Sequence, residues 1–186
     1  MIICDQIFSS QKNSPIIMKA TEILHKDIAN AYPEIHKTRL NTLFTFVRSG
    51  LRDQRVTVTY LGRGLKSLSK TDKKHDIKRA DRLIGNANLH QERFCFYEHM
   101  TEYLVGRQQH PFIIVDWSPI NGGEIFQVLR ASIPMGGRAL TLYEKVYPES
   151  ELNTETAHQH LLNHLEKCLP ADCQPIILSD AIFRAP

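Results

Sequence analysis

Pro111-Phe112-Ile113-Ile114-Val115-Asp116-Trp117-Ser118 is the stretch on which the reading of this chain turns. A short, largely β-branched apolar run predicts a buried strand, and here it delivers an acid at its tip. The pattern returns in Gln174-Pro175-Ile176-Ile177-Leu178, which ends in Ser179-Asp180. If the two strands are neighbours in one sheet, both carboxylates emerge at the same edge, where α/β folds place their sites. Between these runs, Glu124–Pro134 and Arg138–Tyr147 read as two further strands. The intervening Pro134-Met135-Gly136-Gly137 makes them an antiparallel hairpin. Thr154–Leu169 reads as a helix with Leu161, Leu162, Leu165 and Leu169 toward a core.

Before residue 107 the periodicity is helical. Leu40, Leu43, Phe44, Val47 and Leu51 fall on one face of a helix, with Thr38 as a cap and Gly50 near its end. Val58, Leu61, Leu65 and Leu68 follow Thr57 at helical spacing. Gly62 and Gly64 weaken that helix, however, and Val56-x-Val58-x-Tyr60 also suits a strand. A clearer helix is predicted from about Thr71 to Gly85, with Ile77, Ala80 and Ile84 as its apolar stripe. Opposite that stripe Lys74, Lys78 and Arg82 line up at i+4 steps, flanked by His75 and Arg79, and Gly85-Asn86 is a stop signal. From Gln91 another helix carries Phe94, Tyr97, Thr101 and Leu104 on one side, with Gly106 closing it.

Composition narrows the function classes. With 186 residues, 42% hydrophobic and 23% charged, the chain is neither collagen-like, disordered nor a disulfide scaffold, and it holds one large domain or two small ones. Apolar runs such as Pro111–Val115 reach five residues, too short for a membrane span. Met1–Phe8 lacks a basic start and contains Asp5, so a secretory leader is not expected and a cytoplasmic location is. The net charge of +3 conceals an asymmetry. Residues 36–93 carry 14 Lys and Arg against 5 Asp and Glu, whereas the remainder carries 9 against 15. A local charge of +9 beside a body of −6 suits a polyanion partner, nucleic acid first, although a solvated basic face gives the same count. Helix, turn and basic helix in that order can put a positive face into a DNA major groove.

Other chemistries fit less well. Cys4, Cys95, Cys168 and Cys173 form no C-x-x-C pair, and buried or incidental thiols are expected. His160, His164 and Cys168 follow at i, i+4 and i+8, but the outer two stand about 12 Å apart on a helix, too far to share one ion. Leu61-Gly62-Arg63-Gly64-Leu65-Lys66-Ser67 lacks the residue order of a phosphate loop, and neither G-x-S-x-G nor H-E-x-x-H occurs. Trp117 suits a core plug better than a base-stacking platform. Two readings of Asp116 and Asp180 stay open. They cap the turns that follow them, or they converge on Mg²⁺ or Mn²⁺, which hard carboxylate oxygens select and which assist phosphodiester cleavage.

Eight motifs in order carry a resemblance. They are Lys37-Thr-Arg39-Leu-Asn-Thr-Leu, Leu61-Gly-Arg, His75-Asp-Ile-Lys-Arg79-Ala-Asp-Arg-Leu-Ile-Gly-Asn86, Leu89-His-Gln-Glu-Arg93, Ile114-Val-Asp-Trp-Ser118, Val128-Leu-Arg-Ala-Ser132, Gly137-Arg-Ala-Leu-Thr-Leu-Tyr-Glu-Lys145 and Ser179-Asp-Ala181. From about Met18 to Pro186 the chain resembles the N-terminal part of bacterial insertion-sequence transposases of the DDE class. The likeness is to the cut-and-paste group related to the enzyme of the tetracycline-resistance transposon.

The resemblance implies an α+β protein. A helical DNA-binding domain (18–106) precedes the first half of a ribonuclease H-like α/β domain (107–186), and 1–17 is an extension without counterpart, with Met18 as the expected start. It implies that Asp116, after the first core strand, and Asp180, after the fourth, are catalytic and ligate Mg²⁺, with Mn²⁺ as a substitute. Lys74, Lys78, Arg79 and Arg82 fall in its end-binding part. The implied partners are double-stranded DNA, both transposon ends and target, and further copies of the chain or full-length transposase, at the nucleoid and not at a membrane.

Two departures from the family pattern matter. The family's third acid, a glutamate in a Tyr–Arg–Glu–Lys signature, has no match in the sequence, and Ile182 replaces the glycine usual after Ser-Asp-Ala. The expectation is therefore a truncated transposase, inactive alone. The rival readings are a non-catalytic DNA-binding fragment that occupies ends or inhibits full-length enzyme, and a remnant that does not fold stably.

Overall fold

The computed structural model describes residues 14–53, 55–67, 72–120 and 125–180. Among them are six α-helices and a four-stranded mixed sheet, an α+β architecture. The chain divides into two compact units that meet in sequence between Arg93 and Phe94.

The first unit is helical: α1 (Ser14–Ala31), α2 (Lys37–Asp53), α3 (Val58–Arg63), α4 (Lys73–Ile84) and the first residues of α5 (Ala87–Val105). Helix α1 runs through Ile17 and Met18 without interruption, so the division expected at Met18 falls inside a helix. In α2, Leu40, Phe44 and Phe46 are buried while Leu51 is exposed, and Thr38 lies within the helix rather than capping it. Gly50 lies near the end of α2, as expected. It sits inside the helix, where Ser49 Oγ donates to Leu61 O at 2.7 Å and draws α3 close.

The ambiguous Val56–Tyr60 segment resolves as a helix start. Thr57 caps α3, its side-chain oxygen accepting from Tyr60 N at 3.3 Å, and a 3₁₀ turn, Gly64–Ser67, follows. Gly62, read from sequence as a weakness, is what the α3–α4 crossing requires. A Cβ there would lie 2.5 Å from Ile77 Cα, inside the backbone of α4. Leu68 and Thr71 lie outside the described residues.

Helix α4 buries Asp76, Ala80 and Leu83; Ile84, assigned to its apolar stripe, is exposed. The stripe turns by one residue because Leu83 packs with Phe46, Leu61 and Leu65. Gly85 ends the helix by donating to Asp81 O at 3.0 Å, and Asn86 Oδ1 opens α5 by accepting from Leu89 N at 3.0 Å. Arg39 of α2 grips Glu92 of α5 with two hydrogen bonds, one of them Nε to Oε2 at 2.6 Å.

The second unit contains the rest of α5, then β1 (Phe112–Pro119), β2 (Phe126–Met135), β3 (Arg138–Pro148), α6 (Glu155–Cys168) and β4 (Ile176–Ser179). Gly106, at φ +57°, closes α5 by donating to Glu102 O at 2.9 Å. The expected hairpin is present: Met135 pairs with Arg138 across Gly136 and Gly137, at φ +58° and +77°. Positive φ at both central residues is the geometry that suits a two-residue hairpin turn. Between Ala131 and Ser132 the β2–β3 register shifts by one, so Ser132 faces Thr141 but Ala131 faces Tyr143, and Leu142 is the extra residue.

The sheet order is β3-β2-β1-β4, with β1 parallel to β4 and antiparallel to β2. One face carries Ile113, Val115, Leu129, Ala131, Ile133, Tyr143 and Tyr147, and packs with Ala157, Leu161 and Leu165 of α6. Leu162, expected in the core, is exposed. Thr154 caps α6, accepting from Ala157 N at 3.3 Å. The other face carries Phe112, Ile114, Asp116, Phe126, Arg130, Glu144 and Val146, all exposed or half-exposed.

Candidate functional site

Strand β1 is longer than its apolar run. It continues through Asp116 to Pro119, so Asp116 lies within the strand and not at its tip. Asp180 directly follows β4, as expected. The last parallel pair is Val115 with Ser179, so Asp116 and Asp180 are each the next residue beyond it, Asp116 still within β1 and Asp180 just past the end of β4. Neighbouring strands run about 4.8 Å apart. Both aspartates are exposed, and Ser118 Oγ donates to Asp116 Oδ2 at 3.4 Å.

The row extends across the sheet. Asp116 is paired with Arg130 of β2, and Arg130 with Glu144 of β3, so the charges run Glu144, Arg130, Asp116, Asp180. Arg130 Nε bonds to Glu144 Oε2 at 2.6 Å. Neither Arg130 nor Glu144 was singled out from sequence. Counting back from the Gly136-Gly137 turn puts Arg130 opposite Tyr143; the extra residue Leu142 brings Glu144 into line instead.

Two carboxylates and a hydroxyl are hard oxygen donors that fit Mg²⁺ or Mn²⁺ in kind. Two acids are fewer than a full protein ligand set, and no cluster of three or more His, Cys, Asp or Glu side chains suited to a metal occurs among the described residues.

The α6 histidines do other work. His160 and His164 stack with ring centroids 4.0 Å apart. Both nitrogens of His160 have partners on β3: Lys145 Nζ at 3.3 Å from Nε2 and Tyr147 Oη at 3.2 Å from Nδ1. Cys168 is buried, and burial, with the charge of Glu98, pushes its thiol up to about 12. A thiol so held is protonated at neutral pH and a poor metal ligand. Trp117 packs against the core at the edge of Tyr147 and donates Nε1–H to His158 Nε2 at 3.1 Å, matching the core role expected of it. Desolvation lowers the His158 pKa and favours the neutral ring that this hydrogen bond needs.

In the helical unit, α3, its 3₁₀ turn and α4 follow in the expected order, and Lys74, Lys78 and Arg82 are exposed on α4. Arg79 differs from them. It bends back to Asp76, Nη1 to Oδ1 at 3.0 Å, where the acid's side chain is 2% exposed. Three of the four basic residues expected to bind DNA thus line the outer face, while Arg79 is half committed to holding α4 together. No helix among the described residues is long and apolar enough to cross a membrane. Ile182 and Cys4 lie outside the described residues. Comparison with known proteins returned no match to a family model, a curated protein or a solved structure.

Proposed function

We propose that this chain is a DNA-handling protein of the DDE transposase class. In this reading the helical unit grips duplex DNA, and the second unit, of ribonuclease H-like design, contributes Asp116 and Asp180 as two of the acids of a metal-assisted phosphoryl-transfer centre. The observation that supports the reading is the parallel β1–β4 register, whose last pair, Val115 with Ser179, immediately precedes the two exposed aspartates. The exposed Lys74, Lys78 and Arg82 of α4 support the DNA-binding half. The ordered series of sequence motifs supplies the choice of family.

A divalent ion held there supplies charge neutralisation at the transferring phosphoryl group. The chain's own residues do the rest. Asp116 within β1 and Asp180 directly after β4 offer oxygen ligands, and α4 presents a row of cations that neutralises DNA phosphates. With Asp116 and Asp180 and no third acid assigned, the chain is expected to bind DNA and metal but not to cleave. Non-catalytic DNA binding is the second reading, favoured by the exposed basic row of α4.

Two measurements test this. Mn²⁺ binding followed by electron paramagnetic resonance should be lost in both Asp116→Asn and Asp180→Asn; equal binding by wild type and variants would refute the paired-acid site. Gel shifts across a salt series should show Lys78→Ala/Arg82→Ala binding more weakly, with a salt slope shallower by about 1.8. An unchanged slope would remove α4 from the interface.

A further inference from the structure

Arg130 has an unusual position for a surface cation. It stands in register between Glu144 and Asp116, on the face that carries Asp116. Among the described residues its guanidinium bonds to protein through Nε alone, to Glu144 Oε2 at 2.6 Å. A guanidinium that paired bidentately, as Arg39 does with Glu92, would have used its fork. Bonding through Nε without a second bond from Nη restrains the group and leaves the Nη donors for another acceptor. Its side chain is 43% exposed, so a ligand can reach it. The neighbouring Asp116 accepts from Ser118 Oγ at 3.4 Å, while Arg130 bonds to Glu144.

A positive fork held by one acid, with Asp116 on the adjacent strand and Asp180 after the strand beyond it, suits a ligand that carries negative oxygens to a metal-binding pair. We propose that Arg130 contacts a non-bridging oxygen of the phosphodiester brought to Asp116 and Asp180, and that Glu144 is the positioning residue that aims it. The assignment rests on the paired-acid reading above and adds the group that holds the substrate's phosphate. Glu144 acts only through Arg130. Its replacement by glutamine therefore weakens phosphodiester binding without changing Mn²⁺ affinity, whereas an acid that ligated the metal would alter both.

The test uses the full chain with two probes: Mn²⁺ alone, and the dinucleotide thymidylyl-thymidine, whose single phosphodiester reports proximity to bound Mn²⁺ through ³¹P relaxation. Arg130→Ala and Arg130→Gln, the second guarding against a folding defect in the first, should bind the dinucleotide about tenfold more weakly, as expected for one lost charge-assisted contact, with Mn²⁺ affinity unchanged. Glu144→Gln should show a smaller loss, and Arg130→Lys should recover part of the binding. If Mn²⁺ binds wild type, is lost in Asp116→Asn, and both Arg130 variants hold the dinucleotide normally, the role of Arg130 is overturned while the paired-acid site stands. If Mn²⁺ binding is absent, or indifferent to Asp116→Asn, the paired-acid site fails and this assignment with it.

Discussion

Replacing Gly62 with alanine places a Cβ 2.5 Å from Ile77 Cα, 2.6 Å from Ile77 N and 2.7 Å from Ile77 Cγ1. Carbon atoms rest at about 3.5–4.0 Å, so α4 must withdraw from α3 by about 1 Å. Overpacking of this kind costs about 1–3 kcal/mol, and the upper end applies because backbone meets backbone. Alanine recovers about 1 kcal/mol through its helix propensity. The net loss is about 2 kcal/mol, or about 8–16 °C in Tm for a unit of this size. Gly50→Ala is the matched control. Its Cβ would lie 3.2 Å from Leu61 Cδ2, the end of a side chain that can yield, so stability should be neutral or slightly raised. The assay is thermal denaturation of the full chain by circular dichroism at 222 nm. In parallel, the single tryptophan, Trp117, follows the second unit by fluorescence. A Gly62→Ala melt within about 2 °C of wild type, against the shift worked above, would refute the close-approach argument. So would a greater loss in Gly50→Ala.

The other expectations are narrower. His158 titrates below its ordinary value because burial disfavours its charge. Below about pH 6.5 the unfolded chain therefore protonates first, and stability should fall with pH until the lowered folded pKa is passed. The denaturant midpoint read from Trp117 should thus drop more between about pH 7.5 and 5.5 in wild type than in His158→Gln; equal drops would remove His158 as the cause. Arg79→Ala should lower stability by about 1 kcal/mol, because Asp76 loses a cation beside a buried carboxylate. Lys78→Ala should leave stability within about 0.5 kcal/mol and act on DNA affinity instead, and melts paired with gel shifts separate the two.

Local chemistry made much of the fold readable. The Gly136-Gly137 pair dictates a turn that few other residues can make, and the hairpin forms around it. Gly106 and Gly85 likewise end α5 and α4 where expected. Errors arose where a signal had two physical meanings. Gly62 looks like a helix breaker but is a contact point, a distinction that depends on α3 and α4 crossing close by. Leu83 and Ile84 are equally plausible core residues at helical spacing, and only the position of Phe46 and Leu65 decides between them. Strand β1 outran its apolar stretch because one face of it is exposed, so Asp116 and Ser118 alternate with covered residues instead of ending the strand.

For the candidate site, sequence supplied the residues but not their arrangement. That Asp116 and Asp180 each follow the last β1–β4 pair depends on a parallel pairing between strands 64 positions apart, which no local pattern encodes. Arg130 and Glu144 were missed for a related reason, since their alignment needs a register shift that the turn alone does not reveal. Arg79 shows the converse. Its place in a basic row is plain in the sequence, yet its bond to Asp76 appears only once Asp76 is seen to be buried.

Losing a codon is ordinarily the harshest accident a strand can meet, since every later side chain turns over to the wrong side. Leu142 makes one place in β3 an exception. Ladder partners run from Arg138 to Thr141 on one side of it and from Tyr143 to Pro148 on the other, and removing it would let the two stretches join with every partner kept. The molecule would forfeit a leucine's worth of oily packing, yet Glu144 would still find Arg130 across the gap. Loss of Leu142 would also strip Thr101 of the carbonyl that its hydroxyl reaches, while the charged row keeps its alignment.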